Sequence, residues 1–316
     1  DKTEEVREAH AFLQYLFFGQ WNELKAYAHS RGVEIIGDIP IFVAYDSADV
    51  WASPELFELD NNLRPTHVAG VPPDYFSETG QFWGNPLYQW DVLKKRNYDW
   101  WIERMRSNLN TFDVLRIDHF RGFWNYWRIP AEAKDARSGE WTDGPQHDFF
   151  AALHRALPDA QLIAEDLGEI DQDVFDFRDE LQLPGMGVLQ FAFDLDGKNL
   201  HLPHNLPPNN VVYPGTHDND TVLGWYESTT PEIRDQVRRY FRVSGEDISW
   251  DFIRAAYRSV SKLAILPMQD LLSLDESGRM NVPGKEQGNW QWRMTSDQFH
   301  NVWQSTPYLR ELAWLY

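Results

Sequence analysis

The fold is decided by the stretch Val114-Leu115-Arg116-Ile117-Asp118-His119, an apolar run that contains one arginine and ends in a carboxylate. So short and apolar a run predicts a β-strand that is covered on both faces. Comparable runs recur along the chain. They predict six strands, at residues 34–43, 112–119, 161–166, 185–193, 210–217 and 263–272.

Amphipathic helical patterns separate these strands. They lie at residues 4–30, with an expected break near Gly19, and at 91–109, 147–157, 171–181, 231–243 and 250–262. Alternating strands and helices predict a parallel sheet with helices outside it. We therefore expect an α/β protein of the (β/α)8 TIM-barrel type, with residues 1–316 forming one barrel domain.

One stretch interrupts the alternation. Residues 49–90 are rich in proline, glycine and aromatic side chains and have little periodicity. A loop of this length inside a compact domain is usually functional or disordered. We interpret it as an aromatic-rich insertion loop.

The composition excludes several classes of protein. The 316 residues are 42% hydrophobic and 25% charged, as is typical of a globular chain. No apolar run is long enough to span a membrane. There is no cysteine, and therefore no disulfide or thiolate chemistry. The net charge of −20 argues against nucleic-acid binding, because phosphate backbones are repelled by such a surface.

Five of the predicted strands lead into a carboxylate. These residues are Asp38, Asp118, Glu165, Asp218 and Asp270. In a (β/α)8 barrel the carboxyl ends of all strands meet at one face, where the active site lies. An aspartate in such a position is also a common N-cap of the following helix. Five of them together favour an active site over five separate caps.

The surroundings of these carboxylates indicate different chemical roles. Side chains alternate along a strand, so Arg116 and Asp118 share a face, and a guanidinium keeps a neighbouring carboxylate ionised. Glu165 follows an apolar run, and desolvation raises the pKa of a carboxyl group. One ionised and one proton-donating carboxyl form the pair that a retaining glycosidase needs. A structural ion pair that lines the barrel is the alternative for Arg116 and Asp118.

Aromatic residues are abundant, with 15 Trp, 13 Tyr and 19 Phe. Several lie in polar surroundings, such as Trp83 within Gly80-Gln81-Phe82-Trp83-Gly84-Asn85. Core packing accounts for many such rings, but sugar rings also stack their C–H faces on aromatic side chains. Composition does not decide between the two interpretations.

Six motifs follow one another along the chain. They are Gly37-Asp38-Ile39-Pro40-Ile41-Phe42-Val43, Gly70-Val71-Pro72-Pro73-Asp74-Tyr75-Phe76-Ser77, Arg116-Ile117-Asp118-His119-Phe120-Arg121-Gly122, Ala164-Glu165-Asp166-Leu167-Gly168, Gly215-Thr216-His217-Asp218-Asn219-Asp220-Thr221 and Gln287-Gly288-Asn289-Trp290-Gln291-Trp292-Arg293. This ordered set resembles the 4-α-glucanotransferases of glycoside hydrolase family 77. The resemblance extends over nearly the whole chain.

The resemblance implies a reaction and the residues that perform it. An α-1,4-glucan segment moves from a donor chain to the 4-hydroxyl of an acceptor glucan or glucose, with retention of configuration and without a cofactor or metal. Asp118 is implied as the nucleophile that forms a covalent glycosyl-enzyme. Glu165 is implied as the general acid and base, and Asp218 as the residue that holds and distorts the sugar ring. The implied substrate-binding residues are Asp38, Tyr75, Phe76, Trp83, Arg116, His217 and Asn289.

Other functions remain open on the sequence alone. A hydrolase of the α-amylase type would share the three carboxylates, and a glucan-binding protein without turnover would share the aromatic residues. A metal site at His217, Asp218 and Asp220 is a weaker alternative, because no zinc or calcium ligand motif is present.

The resemblance also sets expectations for the extent and location of the protein. The family has two further strands ahead of the region that matches residue 1, so we expect an N-terminal portion of the barrel to be missing from this chain. We expect a cytoplasmic protein, or a plastid protein if the source is a plant. The sequence does not fix the oligomeric state.

Overall fold

The computed structural model describes residues 2–73, 77–168, 170–285 and 287–316. The chain divides into two compact units, Asp1–Leu183 and Pro184–Tyr316. Each unit has its own parallel sheet of three strands.

The described residues form strands β1 to β10 and helices α1 to α11. The strands are β1 (Ile36–Pro40), β2 (His67–Val71), β3 (Gln81–Pro86), β4 (Val114–Asp118), β5 (Asn125–Pro130), β6 (Glu140–Asp143), β7 (Gln161–Ala164), β8 (Gly185–Val188), β9 (Asn210–Tyr213) and β10 (Leu263–Ala264). The helices are α1 (Lys2–Ser30), α2 (Ala48–Ala52), α3 (Trp90–Lys95), α4 (Asp99–Thr111), α5 (Gln146–Ala156), α6 (Gln172–Glu180), α7 (Val222–Ser228), α8 (Pro231–Phe241), α9 (Ile248–Arg258), α10 (Met268–Leu271) and α11 (Ser296–Leu315).

The parallel sheet of the first unit has the strand order β1-β4-β7, with β4 in the centre. Its register places Asp38 beside Arg116. Leu115 and Ile117 alternate with Arg116 and Asp118 along β4, and both apolar residues are fully buried in the core. The apolar side chains therefore anchor the strand and leave its polar side chains to form the site.

The second sheet of this unit is antiparallel, with the order β3-β2-β5-β6. It corrects the interpretation of residues 49–90 as a loop, because β2 and β3 lie within that stretch and α2 overlaps its start. The alternation typical of a strand is weak in β2 because Val68, Ala69 and Gly70 are all buried. Gly70 allows the strands to approach, since a Cβ there would lie 2.2 Å from the carbonyl oxygen of Gln81.

The sheet of the second unit is parallel and has the order β10-β9-β8. All four residues of β9 are buried, as predicted for a strand covered on both faces. All three strands of this sheet are shorter than predicted. β8 gives way to a 3-10 helix at Leu189–Ala192, β9 ends at Tyr213, and β10 ends at Ala264, ahead of α10. The six predicted strands are thus confirmed, and each is shorter than its predicted range.

The helices differ from the prediction in three places. α1 runs through Gly19 without the expected break. The helix predicted at 91–109 is divided into α3 and α4, because Asn97 and Tyr98 are left-handed, with φ of 52° and 56°. The sequence did not predict α7, which has only seven residues, or α11, which contains Pro307.

The last three turns of α1 contact the rest of the first unit. Nε1 of Trp21 donates to the carbonyl oxygen of Thr111 at 2.9 Å. Asp113 lies 2.9 Å from Nε2 of His29 and 3.1 Å from Nζ of Lys25. Across the described ranges, none of the helices has the length and apolar character needed to cross a membrane.

Candidate active site

The polar end of β4 places one cation between two carboxylates. Nη1 of Arg116 donates to both carboxylate oxygens of Asp38, at 2.8 and 2.7 Å, and to Oδ1 of Asp118 at 3.2 Å. The side chains of Asp38 and Asp118 are 44% and 43% exposed, whereas Arg116 is buried. Burial opposes the charged form, but the negative charges of Asp38, Glu165 and Asp118 outweigh it and raise the pKa of Arg116. A permanent positive charge therefore holds Asp118 in a position that solvent can reach.

Glu165 directly follows β7, beside the end of β4. Its Oε2 accepts a hydrogen bond from the backbone N–H of His119 at 2.7 Å, and its Oε1 accepts one from Leu167 at 2.9 Å. Desolvation, with a contribution from the charge of Asp118, raises the pKa of Glu165 to about 7, although Arg116 and the two N–H groups oppose the shift. Part of the side chain still reaches the surface. The carboxyl group can therefore carry a proton near neutral pH.

His119 and Trp83 form the wall beside this carboxyl group. His119 is left-handed, with φ of 53°, and so turns the chain sharply after Asp118. Burial, followed by the charge of Arg121, lowers the pKa of His119 to about 4, so the ring is neutral at pH 7. The Trp83 ring meets it edge-on, with 4.9 Å between the ring centroids, and is 38% exposed. The structure thus places the predicted sugar platform next to the residue that holds Glu165.

Two ion pairs fix the segments that follow these residues. Arg178 pairs with Asp166, and both side chains are buried. Arg121 pairs with Asp171 at 2.7 Å, and its guanidinium carbon lies 3.9 Å from the centroid of the Trp141 ring. Such contacts keep the backbone around the two carboxyl groups in one conformation.

In the second unit, Asp218 lies in a turn that follows β9. Nδ2 of Asn281 donates to Oδ1 of Asp218 at 2.5 Å, and Nη2 of Arg279 donates to its carbonyl oxygen at 3.0 Å. Oδ2 of Asp218 lies 3.4 Å from Nε2 of His217. Both carboxylate oxygens therefore have a neighbour that fixes them, and the side chain is still 42% exposed.

Asp270, the fifth of the strand-end carboxylates, is only 1% exposed. Its Oδ1 accepts a hydrogen bond from the N–H of Val222, the first residue of α7, at 2.8 Å. Its Oδ2 has no partner among the described atoms. Burial raises the pKa of Asp270 to about 7, against the effect of the Val222 N–H and with a contribution from Asp220. Asp270 therefore lies inside α10 and binds the N-terminus of α7, so it is not the N-cap of the following helix that the sequence offered as the alternative.

Asn289 and Trp290 belong to the irregular stretches 279–285 and 287–290, which also contain Arg279 and Asn281. Oδ1 of Asn289 accepts from the N–H of Val282 at 3.0 Å, and its Nδ2 donates to the carbonyl oxygen of Lys285 at 2.8 Å. The amide of Asn289 is thus bound within its own loop. The neighbouring Trp290 is 54% exposed, and its ring centroid lies 5.1 Å from that of His217.

Sequence reasoning did not assign a role to Asn281, Arg279, His119 or Trp290. The signal for Asn281 and Arg279 was weak, because both precede the last recognised motif by several residues. The predicted residues Tyr75 and Phe76 lie outside the residues that the structure describes. In the part of the chain that is described, no three His, Asp or Glu side chains are grouped to hold a metal ion.

The site in the first unit is suited to one kind of chemistry. Asp118 lies beside a permanent cation, and Glu165 holds a proton near neutral pH at the end of the adjacent strand. Adjacent strands are roughly 5 Å apart, and retaining glycosidases keep their two carboxyl groups about 5 Å apart. An ionised and a proton-carrying carboxyl group at the ends of adjacent strands match the class of site that retaining glycosidases use.

Comparison with known proteins agrees with this class. A model of glycoside hydrolase family 77, described as 4-alpha-glucanotransferase, matches residues 1–298. The chain belongs to this family, which confirms the resemblance that the six motifs indicated.

Curated relatives and solved structures support the same assignment. A 4-alpha-glucanotransferase of Streptococcus pneumoniae serotype 4 is 50% identical over 294 residues, covering 92% of this chain and 58% of its own length. One from Thermus thermophilus is 51% identical over 293 residues, covering 90% and 59% respectively. The chain thus spans rather more than half the length of these relatives.

The fold is also shared with a solved structure. Amylomaltase from Streptococcus agalactiae in complex with acarbose superposes with a TM-score of 0.92 at 42% identity, over 98% of this chain and 64% of that one. This likeness confirms the α/β class and assigns a TIM-barrel-type fold to the chain.

Proposed function

We propose that the chain carries the catalytic centre of a 4-α-glucanotransferase. The reaction moves an α-1,4-glucan segment from a donor maltodextrin or starch chain to the 4-hydroxyl of an acceptor glucan or of glucose. The observation that carries the proposal is the pair formed by Asp118, held by Arg116, and the half-buried Glu165, whose pKa is raised to about 7.

The two carboxyl groups divide the reaction between them. The Asp118 carboxylate attacks C1 of the sugar, the bond from C1 to the leaving oxygen breaks, and Glu165 gives its proton to that oxygen. The 4-hydroxyl of the acceptor then attacks C1 of the glycosyl-enzyme, the bond from C1 to Asp118 breaks and frees that carboxylate, and the hydroxyl gives its proton to Glu165. Configuration at C1 is retained because it is inverted twice.

The remaining residues have supporting roles in this proposal. Asp218 holds and distorts the ring at the point of cleavage, with His217 beside it. Arg116 orients Asp118, and its second partner Asp38 contacts the same sugar. Trp83 provides a stacking surface beside Glu165. The other proposed substrate contacts are Tyr75, Phe76 and Asn289. The hydrogen bonds of the Asn289 amide to Val282 and Lys285 favour a role in which this residue supports its own loop.

Transfer requires that an acceptor, rather than water, reaches the glycosyl-enzyme. An aromatic surface such as Trp83 would favour a stacked sugar over water at the site. We further propose that the six parallel strands belong to the (β/α)8 barrel of the family and that the protein works in the cytoplasm, or in a plastid if the source is a plant.

Incubation with maltotriose, followed by separation of the products by size, tests the proposal. Glucose together with maltotetraose, maltopentaose and longer chains is the expected result. Glucose and maltose alone would instead identify a hydrolase of the α-amylase type. Maltotriose binding without any product would identify a glucan-binding protein. Asp118→Asn should abolish product formation, whereas Asp159→Asn, at an exposed position of the same unit, should not.

A further inference from the structure

The support of Asp218 comes from a segment to which no role has been assigned. Asn281 donates to Oδ1 of Asp218 at 2.5 Å. Arg279 donates to the carbonyl oxygen of Asp218 at 3.0 Å and, through Nε, to the carbonyl oxygen of Asn281 at 2.9 Å. One guanidinium thus binds the backbones of both members of the side-chain pair.

The same segment is fixed at its other end. The N–H of Trp290 donates to the carbonyl oxygen of Met280 at 2.8 Å. Asn289 binds the N–H of Val282, the residue that follows Asn281. The position of the Asn281 amide is therefore determined from both sides, and it does not depend on the rotamer freedom of an unsupported side chain.

We infer that Asn281 is a positioning residue for Asp218, and that Arg279 holds the two residues in register. This inference rests on the proposed function, in which Asp218 binds the sugar ring. An amide is suited to the task because it donates a hydrogen bond without bringing a charge. A carboxylate held in one rotamer by such a bond is already oriented when the substrate arrives, and orientation of this kind accelerates the reaction step.

The substitution Asn281→Asp tests the inference, because the new side chain can donate a hydrogen bond to Asp218 only when it is protonated. When the new carboxyl group is protonated, it can donate to Asp218 as the amide does. When it is ionised, it cannot donate, and it repels Asp218. Like charges at this distance raise the pKa of one partner. Among the described residues, the charged or titratable groups near the pair are Arg279 and His217, whose positive charge opposes that rise, and Asp220, which adds to it. The activity of the variant relative to the parent should therefore increase as the pH is lowered.

The expected result has two parts. Asn281→Ala should lower kcat and kcat/KM together by about tenfold or more, because the lost interaction matters most in the transition state. Asn281→Asp should match Asn281→Ala at pH 8 and recover several-fold towards the parent at pH 5. Asn301→Asp, at an exposed position on α11, is the matched control and should follow the parent at every pH.

A double-mutant cycle measures the coupling independently of turnover. Asn281→Ala and Asp218→Asn are introduced singly and together, and the urea midpoint of each protein is measured. Non-additive midpoints are expected for a coupled pair. Additive midpoints, or a loss of activity in Asn281→Asp that is constant with pH, would overturn the inference. Failure of the parent to produce longer glucans would count against the proposed function instead, and the cycle would still decide the role of Asn281.

Discussion

The backbone N–H of His119 donates to Oε2 of Glu165 at 2.7 Å, so the residue that follows Asp118 holds the carboxyl group of the neighbouring strand. A single turn of the chain therefore links the two carboxyl groups that are proposed to share the reaction. Among substitutions only proline would remove this donor, and proline cannot adopt the φ of 53° at His119, so the protonation of Glu165 is best examined through pH.

The rate of transfer should fall as the pH rises through about 7, because Glu165 loses the proton that the leaving oxygen needs. Initial rates on maltotriose across a pH series measure this. Glu165→Gln should lower the rate on maltotriose by roughly 10²- to 10⁴-fold. Release of fluoride from α-maltosyl fluoride in the presence of azide should be far less affected, because neither step then needs the acid or base. An equal loss on both substrates would contradict the role of Glu165.

Arg116 is predicted to matter through its position as well as its charge. Arg116→Met leaves Asp38 and Asp118 without their shared cation and should lower kcat by about 100-fold. Arg116→Lys retains a cation on a shorter side chain, so its kcat should lie between that of Arg116→Met and that of the parent. Arg137→Met is the control, because Arg137 pairs with Asp135 at an exposed position. If Arg116→Met and Arg137→Met had similar kcat values, Arg116 would not orient the nucleophile.

Asp270 should make folding less favourable as the pH rises. Its pKa is raised to about 7 in the folded chain, so its stability contribution is complete below the ordinary carboxyl pKa and is lost as the pH rises towards 7. Asp270→Asn removes this dependence and should raise the melting temperature at pH 8. The gain in unfolding free energy should be about 1.4 kcal/mol for each unit by which the pKa of Asp270 is raised. The gain should disappear at pH 4. Glu227→Gln, on the exposed side of α7, should show no such pH-dependent gain.

Asp113 should have the opposite pH dependence. Burial would raise its pKa, but hydrogen bonds from His29, Ile35 and Lys25 lower the pKa of Asp113 to about 2. Its contribution is therefore present above the ordinary carboxyl pKa and is lost as the pH falls towards 2. Asp113→Asn should destabilise the first unit at pH 7 by roughly 2 kcal/mol. Urea unfolding followed by far-ultraviolet circular dichroism measures this, and an unchanged midpoint would mean that the contacts with α1 contribute little.

The sequence predicted the central parallel strands because they are short, largely apolar runs that are buried in the core. β4 and β9 are examples, and both occur within the predicted ranges. The antiparallel sheet was missed because β2 is buried in its centre and contains Gly70, so it lacks both alternation and a high density of branched residues. The left-handed residues Asn97 and Tyr98 divided a predicted helix without a glycine or proline to mark the break.

The residues of the candidate site were predictable where an ionisable side chain stands at or near the end of a predicted strand. Asp118 and Glu165 stand at strand ends, and Arg116 stands two residues before Asp118. Asn281 was not predictable in this way, because it reaches Asp218 across 63 positions of sequence from an irregular loop. Neither periodicity nor local spacing carries information about such a contact.

The five residues of β4 leave little freedom for sequence change. Arg116 and Asp118 occupy one set of alternating positions, and the buried Leu115 and Ile117 occupy the other. A one-residue insertion or deletion in the strand would exchange the two sets, placing a cation in the core and an aliphatic side chain at the site. Evolutionary variation in length should therefore be confined to the connections on either side of β4, and within the strand only exchanges among aliphatic residues at 115 and 117 should be tolerated.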